Sequence, residues 1–170
     1  MGTFILSDSA RLSPRGDARP GREVPAILVL DPDWDSRQIL RTLLAANGYR
    51  VLVAGTVEEA REHALRHRVV LVITESRDEL GEISLPASVR DDLLLADVPL
   101  IVHTSWVHPA DKMAAIACGA RAFIPKPYDH DSLVECVRET LQAATDAGER
   151  RRVSGWRSRD TFDLWRGAGC

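Results

Sequence analysis

The chain is poor in cysteine, and its cysteines are not arranged for chemistry. Cys118, Cys136 and Cys170 stand 18 and 34 residues apart, without a Cys-x-x-Cys or a Cys/His cluster, so nothing suggests a zinc or redox centre and a reducing compartment is expected. Long apolar runs are also missing. A membrane span needs about 18 consecutive apolar residues, and the only apolar run at the N-terminus is Phe4-Ile5-Leu6, too short for a signal-peptide core. The expectation is a cytoplasmic protein with no membrane partner. A large excess of either charge is missing too, since the net charge is -3, and nucleic acid is not an expected partner of the whole chain.

At 170 residues and 45% apolar composition, the chain can build one core of ordinary size. Residues 1–24 carry four Arg with Pro, Gly, Ser and Asp and little periodicity, the composition of a flexible arm. From Pro25 the texture becomes a regular alternation of short apolar runs and helically spaced segments. That alternation predicts βα units around a parallel sheet.

Strands are expected at Ala26–Leu30, Tyr49–Ala54, Val69–Thr74, Leu100–Thr104 and Ala122–Pro125. The helices between them are predicted from inner faces of Ile39, Leu40, Leu43 and Leu44, then of Ala60, Ala64 and Leu65. The next two are Pro86 to Leu95, and a helix facing inward through Met113, Ile116 and Ala117; the last has Leu133, Val134, Val137 and Leu141 inside. Asp35 or Ser36 can cap the first helix, Thr56 and Glu59 form a capping box for the second, and Asp129 can cap the last.

In open parallel sheets, function collects beyond the carboxyl ends of the strands. The residues there are Asp31, Glu75, Thr104 and Lys126: two carboxylates, a hydroxyl and an ammonium from four separate loops. A nucleotide-binding enzyme would need a Gly-rich cradle after the first strand. The loop Asp31-Pro32-Asp33-Trp34-Asp35-Ser36 has no Gly and three acids, which would repel phosphate. Serine hydrolase and metalloprotease signatures are absent as well.

Residues 25 to about 143 resemble the receiver domain of two-component response regulators. The resemblance is carried by Ile27-Leu28-Val29-Leu30-Asp31, Leu71-Val72-Ile73-Thr74-Glu75, the stretch Asp97 to Ser105, and most specifically Gly119-Ala120-Arg121-Ala122-Phe123-Ile124-Pro125-Lys126-Pro127. It implies a flavodoxin-like (βα)5 doubly wound sheet of order 2-1-3-4-5 in three α/β/α layers, a cis peptide before Pro127, and Phe123 as a switch aromatic. It also implies that an Asp after the third strand accepts a phosphoryl group, while acids after the first strand hold a divalent cation.

Two positions depart from that pattern. Glu75 stands where the phosphoacceptor Asp is expected, and Pro32 occupies the second acidic position. Phosphoryl transfer depends on positioning and on a metal that neutralises crowded charge. One extra methylene displaces the carboxylate by roughly an ångström, enough to cost about 100-fold in rate. The expected result is an atypical receiver that is not an enzyme, with Mg2+ binding weak or lost and Asp31 as a vestigial ligand. Thr74 is the alternative acceptor position, and Asp33 is either a substitute ligand or, more ordinarily, a helix-capping or solvated loop acid. Lys126 is expected to pair with Glu75.

The expected role is a stand-alone protein-interaction module in bacterial phosphorelay signalling. A phosphorylatable regulator and a small-ligand sensor using the strand-end pocket are the alternatives. Partners would be a histidine kinase, a phosphotransfer protein or another signalling protein, with homodimerisation through the last two helices and final strand. Residues 146–170 are too few for an output domain. From Arg150 on they hold six Arg against Asp160 and Asp163, together with Trp156, Phe162, Leu164 and Trp165. Such a tail can dock a partner, stack on nucleic acid, fold back or stay loose.

Overall fold

The computed structural model describes residues 24–163, with the end of the last helix, from residue 148, described by its backbone alone. The arm expected over 1–24 lies outside the described residues except for Val24. Leu164 and Trp165 of the tail lie outside them too. In chain order the elements are β1 Ala26–Leu30, α1 Trp34–Ala46, β2 Val51–Ala54, α2 Val57–Arg66, β3 Val69–Thr74, α3 Leu85–Asp91, β4 Leu100–Thr104, α4 Pro109–Ala117, β5 Ala122–Pro125 and α5 His130–Asp163. The strands form one parallel sheet of order β2-β1-β3-β4-β5, the doubly wound arrangement expected from the sequence.

Alternation along the strands sorts the apolar side chains into two cores. Ile27, Val29, Leu71, Ile73 and Ile101 pack with Leu40 and Leu44 of α1 and Leu133 and Val137 of α5. Leu28, Leu30, Val72 and Leu100 pack on the opposite face with Ala60 of α2 and Leu85 and Val89 of α3. β1 and β3 are central and need apolar residues toward both layers, which is why their runs do not alternate with polar residues.

Local chemistry fixes the ends of the elements. Asp33 caps α1, its side chain accepting from Ser36 N–H at 2.6 Å, so the cap falls two residues before Asp35. Gly48, at φ 85°, closes the same helix in a conformation that other residues resist. Thr56 accepts from Glu59 N–H at 3.2 Å, while the Glu59 carboxylate reaches back to Gly55 N–H at 2.7 Å. Asp129 accepts from Ser132 N–H at 2.8 Å at the start of α5.

Four expectations are corrected. Ile39 and Leu65 face solvent, each about 100° around its helix from the inward residue beside it. α3 stops at Asp91 instead of Leu95, because Asp92 turns extended and its carboxylate takes up Leu94 N–H. β2 begins at Val51, two residues later than expected. The inner face of α4 is also different: Met113 and Ile116 are 64% and 61% exposed and Ala117 is exposed, while Asp111 and Ala115 are buried. A buried ionic contact of Asp111, described below, sets that rotation.

α5 also continues beyond the expected domain end near residue 145, its backbone remaining helical to Asp163. The segment contains no proline, and Arg150-Arg151-Arg152 are good helix formers.

Candidate functional site

Sheet order reverses at β1, so the carboxyl ends of β1 and β3 border the crevice where α/β sheets place their sites. β1 delivers Asp31 and β3 delivers Glu75, whose N–H donates to Leu30 O at 2.9 Å. β5 delivers Lys126, whose N–H is held by Thr104 O at 2.7 Å. The Lys126–Pro127 peptide is cis. Phe123 is half-buried on β5, in register with Val102.

The Lys126 ammonium donates to Asp31 Oδ2 at 2.7 Å, Ser36 Oγ at 2.9 Å and Glu75 Oε2 at 3.0 Å. Asp31 and Glu75 are both buried. Burial works against the Lys126 charge, but hydrogen bonding and attraction, first by Asp31 and then by Glu75, outweigh it and raise its pKa above the ordinary lysine value. Ser36 Oγ donates to Asp31 Oδ2 at 2.6 Å, and Asp31 Oδ1 accepts from Asp33 N–H at 2.9 Å.

A second polar cluster lies beside the first. The buried Ser76 donates its N–H to Glu75 Oε1 at 2.7 Å, and its hydroxyl lies 2.9 Å from Thr104 Oγ1, 3.0 Å from Asp111 Oδ1 and 3.2 Å from Glu75 Oε1. Thr104 Oγ1 accepts from Trp106 N–H at 2.9 Å. Asp111 comes from the first turn of α4 and is 0% exposed. Arg77 grips it with two prongs, Nε to Oδ1 at 2.9 Å and Nη2 to Oδ2 at 3.0 Å. The same guanidinium donates to Gly81 O at 2.7 Å and lies 4.5 Å from the Trp106 ring centroid. Burial pushes the Asp111 pKa up, but the hydrogen bonds from Arg77 and Ser76 prevail and hold it below the usual carboxylate range.

The two clusters border an open cleft of about 310 Å³ whose walls include Asp33, Glu75, Arg77, Asp78, Trp106 and Lys126. His103 is buried on β4, edge-on to Tyr128 at 4.6 Å between ring centroids, and neither ring nitrogen has a hydrogen-bond partner among the described residues. Burial first, then Lys126, depresses its pKa to about 4, with Asp31 opposing.

The crevice thus brings together Asp31, Glu75, Thr104 and Lys126. Pro32 lines it but offers no carboxylate, and the Asp33 carboxylate is used as a helix cap. Thr74 is buried, with its hydroxyl turned to Glu75 O at 2.9 Å. Reading the sequence missed the roles of Ser76, Arg77, Trp106 and Asp111. An available signal was that Ser76-Arg77 and Trp106 follow β3 and β4 into neighbouring loops. Asp111 gave none, since an acid in a first helical turn ordinarily complements the helix dipole from outside.

The donors do not fit a divalent cation. Each oxygen of Asp31 and Glu75 already accepts a hydrogen bond, and a fixed ammonium stands between the two carboxylates.

A doubly wound sheet with acids after β1 and β3, a hydroxyl at the end of β4 and a lysine before a cis proline after β5 defines a receiver-type signalling domain. A family model described as "Response regulator receiver domain" matches residues 27–138. The chain belongs to the response regulator receiver domain family.

Among similar proteins, the response regulator MprA of Mycobacterium leprae is 32% identical over 134 residues, covering 75% of this chain and 57% of that protein. The transcriptional regulatory protein AruR of Pseudomonas aeruginosa is 31% identical over 139 residues, covering 76% and 56%. The chain spans only 28% of the Escherichia coli transcriptional regulatory protein GlrR, so the activities of these longer proteins are not carried over whole. The crystal structure of a response regulator receiver protein from Pseudomonas putida superposes with a TM-score of 0.62 at 25% identity, covering 69% of this chain and 98% of that one. A CheY-like receiver domain protein from Methanospirillum hungatei, at a TM-score of 0.64 and 21% identity over 73% of this chain and 98% of that one, shows the same fold.

Proposed function

We propose that this receiver domain of two-component signalling works as a protein-interaction module without accepting a phosphoryl group. The observation that carries this reading is the state of Glu75. Its carboxylate is buried, with Oε2 on Lys126 and Oε1 on Ser76, so each oxygen is already engaged where a phosphoryl donor would need it free. A nucleophile must lie within about 3–3.5 Å of the reacting phosphorus and in line with it. The ion pair would have to break first, and Pro32 supplies no second acid to hold a metal in compensation. The Thr74 hydroxyl is likewise turned away, toward the backbone.

On this reading the Glu75–Lys126 pair holds the domain in one conformational state, and Phe123 keeps a fixed setting. Partners are a histidine kinase, a phosphotransfer protein or another signalling protein. The outward side of α4, where Met113 and Ile116 are exposed, supports a contact surface made by α4, β5 and α5, usable by such a partner or by a second copy. No helix among the described residues is long and apolar enough to cross a membrane.

The test is incubation with magnesium and a small phosphoryl donor, followed by an intact mass. The expected result is an unchanged mass. A stable gain of about 80 Da, the mass of one phosphoryl group, overturns the reading, and the acceptor's position in a peptide map then separates Glu75 from Thr74.

A further inference from the structure

We propose that the Lys126 ammonium is the resident cation of this site: it fills the place between Asp31 and Glu75 that a divalent ion would need, and so makes the fold independent of metal. An ammonium has three N–H donors. Here all three are used, on Asp31 Oδ2 at 2.7 Å, Ser36 Oγ at 2.9 Å and Glu75 Oε2 at 3.0 Å.

The carboxylates are committed in turn. Asp31 Oδ1 holds Asp33 N–H, Asp31 Oδ2 also holds the Ser36 hydroxyl, and Glu75 Oε1 holds Ser76 N–H. A divalent ion takes carboxylate oxygens at about 2.0–2.6 Å, which would bring it against the ammonium and cost these hydrogen bonds. The backbone from which Lys126 reaches in is anchored, its N–H donating to Thr104 O at 2.7 Å, and the ammonium would give up three hydrogen bonds on withdrawing. Arg77, which also lines the crevice, is committed to Asp111 and Gly81.

The arrangement has a converse. Without the ammonium, two buried carboxylates and the Ser36 hydroxyl would face one space with no counter-charge, an all-oxygen donor set of the kind hard divalent cations prefer. Removing Lys126 is therefore expected to convert a metal-independent domain into a metal-dependent one. The inference deepens the reading of a domain that does not accept phosphate, and it can fail separately. Metal binding without a mass gain overturns the inference alone, whereas a mass gain overturns the reading.

The experiment is thermal unfolding of the full chain, of Lys126→Ala and of Lys126→Gln, each in chelator and in millimolar magnesium or manganese. The Gln variant keeps much of the stem and a hydrogen-bonding end but drops the charge, and so guards against a simple packing failure. The wild-type midpoint is expected to move by less than about 1 °C, and that of at least one variant to rise by more than about 5 °C on adding the ion. Adding Glu75→Gln to the responsive variant should remove most of that gain. A wild-type gain matching that of the variants, or no gain in either variant, overturns the proposal.

Discussion

Two cationic clasps stand side by side at the carboxyl end of the sheet. The Lys126 clasp joins three strand ends and α1 through a compact ammonium, with both acids buried. The Arg77 clasp joins the loop after β3 to α4 through a planar fork, with a buried Asp111 on one side and an exposed rim containing Trp106 on the other. The first sits where the family's phosphorylation chemistry would be, and on the function proposed above it keeps Glu75 from that chemistry. The second decides which side of α4 is left outside for a partner. Ser76 joins them, because its single hydroxyl proton has Glu75 Oε1 and Asp111 Oδ1 both within reach.

The largest expected effect is on the Lys126 side. Lys126→Ala leaves Asp31 and Glu75 buried without their counter-charge, and breaking a buried pair in this way costs about 4 kcal/mol, to be measured by denaturant unfolding in chelator. If the loss were under about 1 kcal/mol, the ammonium would be ornamental and the contrast between the clasps would collapse.

Acid separates the two clasps next. His103 has a folded pKa of about 4 against an ordinary 6.5. Above 6.5 it is neutral in both the folded and unfolded states, so it does not change stability there. Between the two values the unfolded chain takes up a proton that the folded one refuses. Stability therefore falls as pH drops from 6.5 toward 4, by about 3 kcal/mol in all. His103→Phe, which keeps a ring against Tyr128, should flatten that slope in unfolding measured across this range. The Asp111 carboxyl is held below its ordinary 3.8. Its contribution is present above that value and is lost only at lower pH, so the Arg77 clasp should not respond in the window where His103 does.

The clasps also differ in how far the sequence revealed them. The apolar runs placed every strand within two residues, because central parallel strands must be apolar on both faces. Strand ends then pointed directly to Asp31, Glu75, Thr104 and Lys126. Helix rotation was harder to read. Burial was assigned to Met113 and Ile116 because apolar residues usually face inward, yet a two-pronged ionic contact turned Asp111 inward in their place. Periodicity ranks residues by hydropathy and is blind to a charge whose partner arrives from another loop. Ile39 and Leu65 were misplaced more simply, each being adjacent in sequence to an inward residue but well around the helix from it.

A smaller effect tests the link between the clasps. Ser76→Ala removes the hydroxyl but keeps the N–H that serves Glu75 Oε1. Thr104 and Asp111 each lose a buried partner, for a cost of about 2 kcal/mol. If the clasps are coupled through Ser76, the losses from Ser76→Ala and Lys126→Ala should fail to add, as a double-mutant cycle in denaturant would show. Strict additivity would make them two independent fastenings.

The smallest change in stability is expected from Arg77→Lys, and it is the most selective probe of the second clasp. Lysine keeps the charge opposite Asp111 but cannot offer the planar fork that grips both carboxylate oxygens while lying against an indole. Hydrogen bonds to Gly81 O and Asp111 would be lost in part, and the stacking on Trp106 with them. The expected outcome is a shift in tryptophan emission, together with faster amide exchange at the start of α4, where Asp111 is anchored. Trp34, Trp156 and Trp165 also contribute to emission, so Trp106→Phe is the control: it should abolish the shift. The pH response through His103 should remain unchanged, because its pKa is shifted first by burial and then by Lys126 and Asp31, not by Arg77. A variant whose acid response changed while α4 stayed protected would reverse the assignment of the two clasps: α4 would then be held by the Lys126 side, and the Arg77 fork would act on the buried charges beneath the crevice.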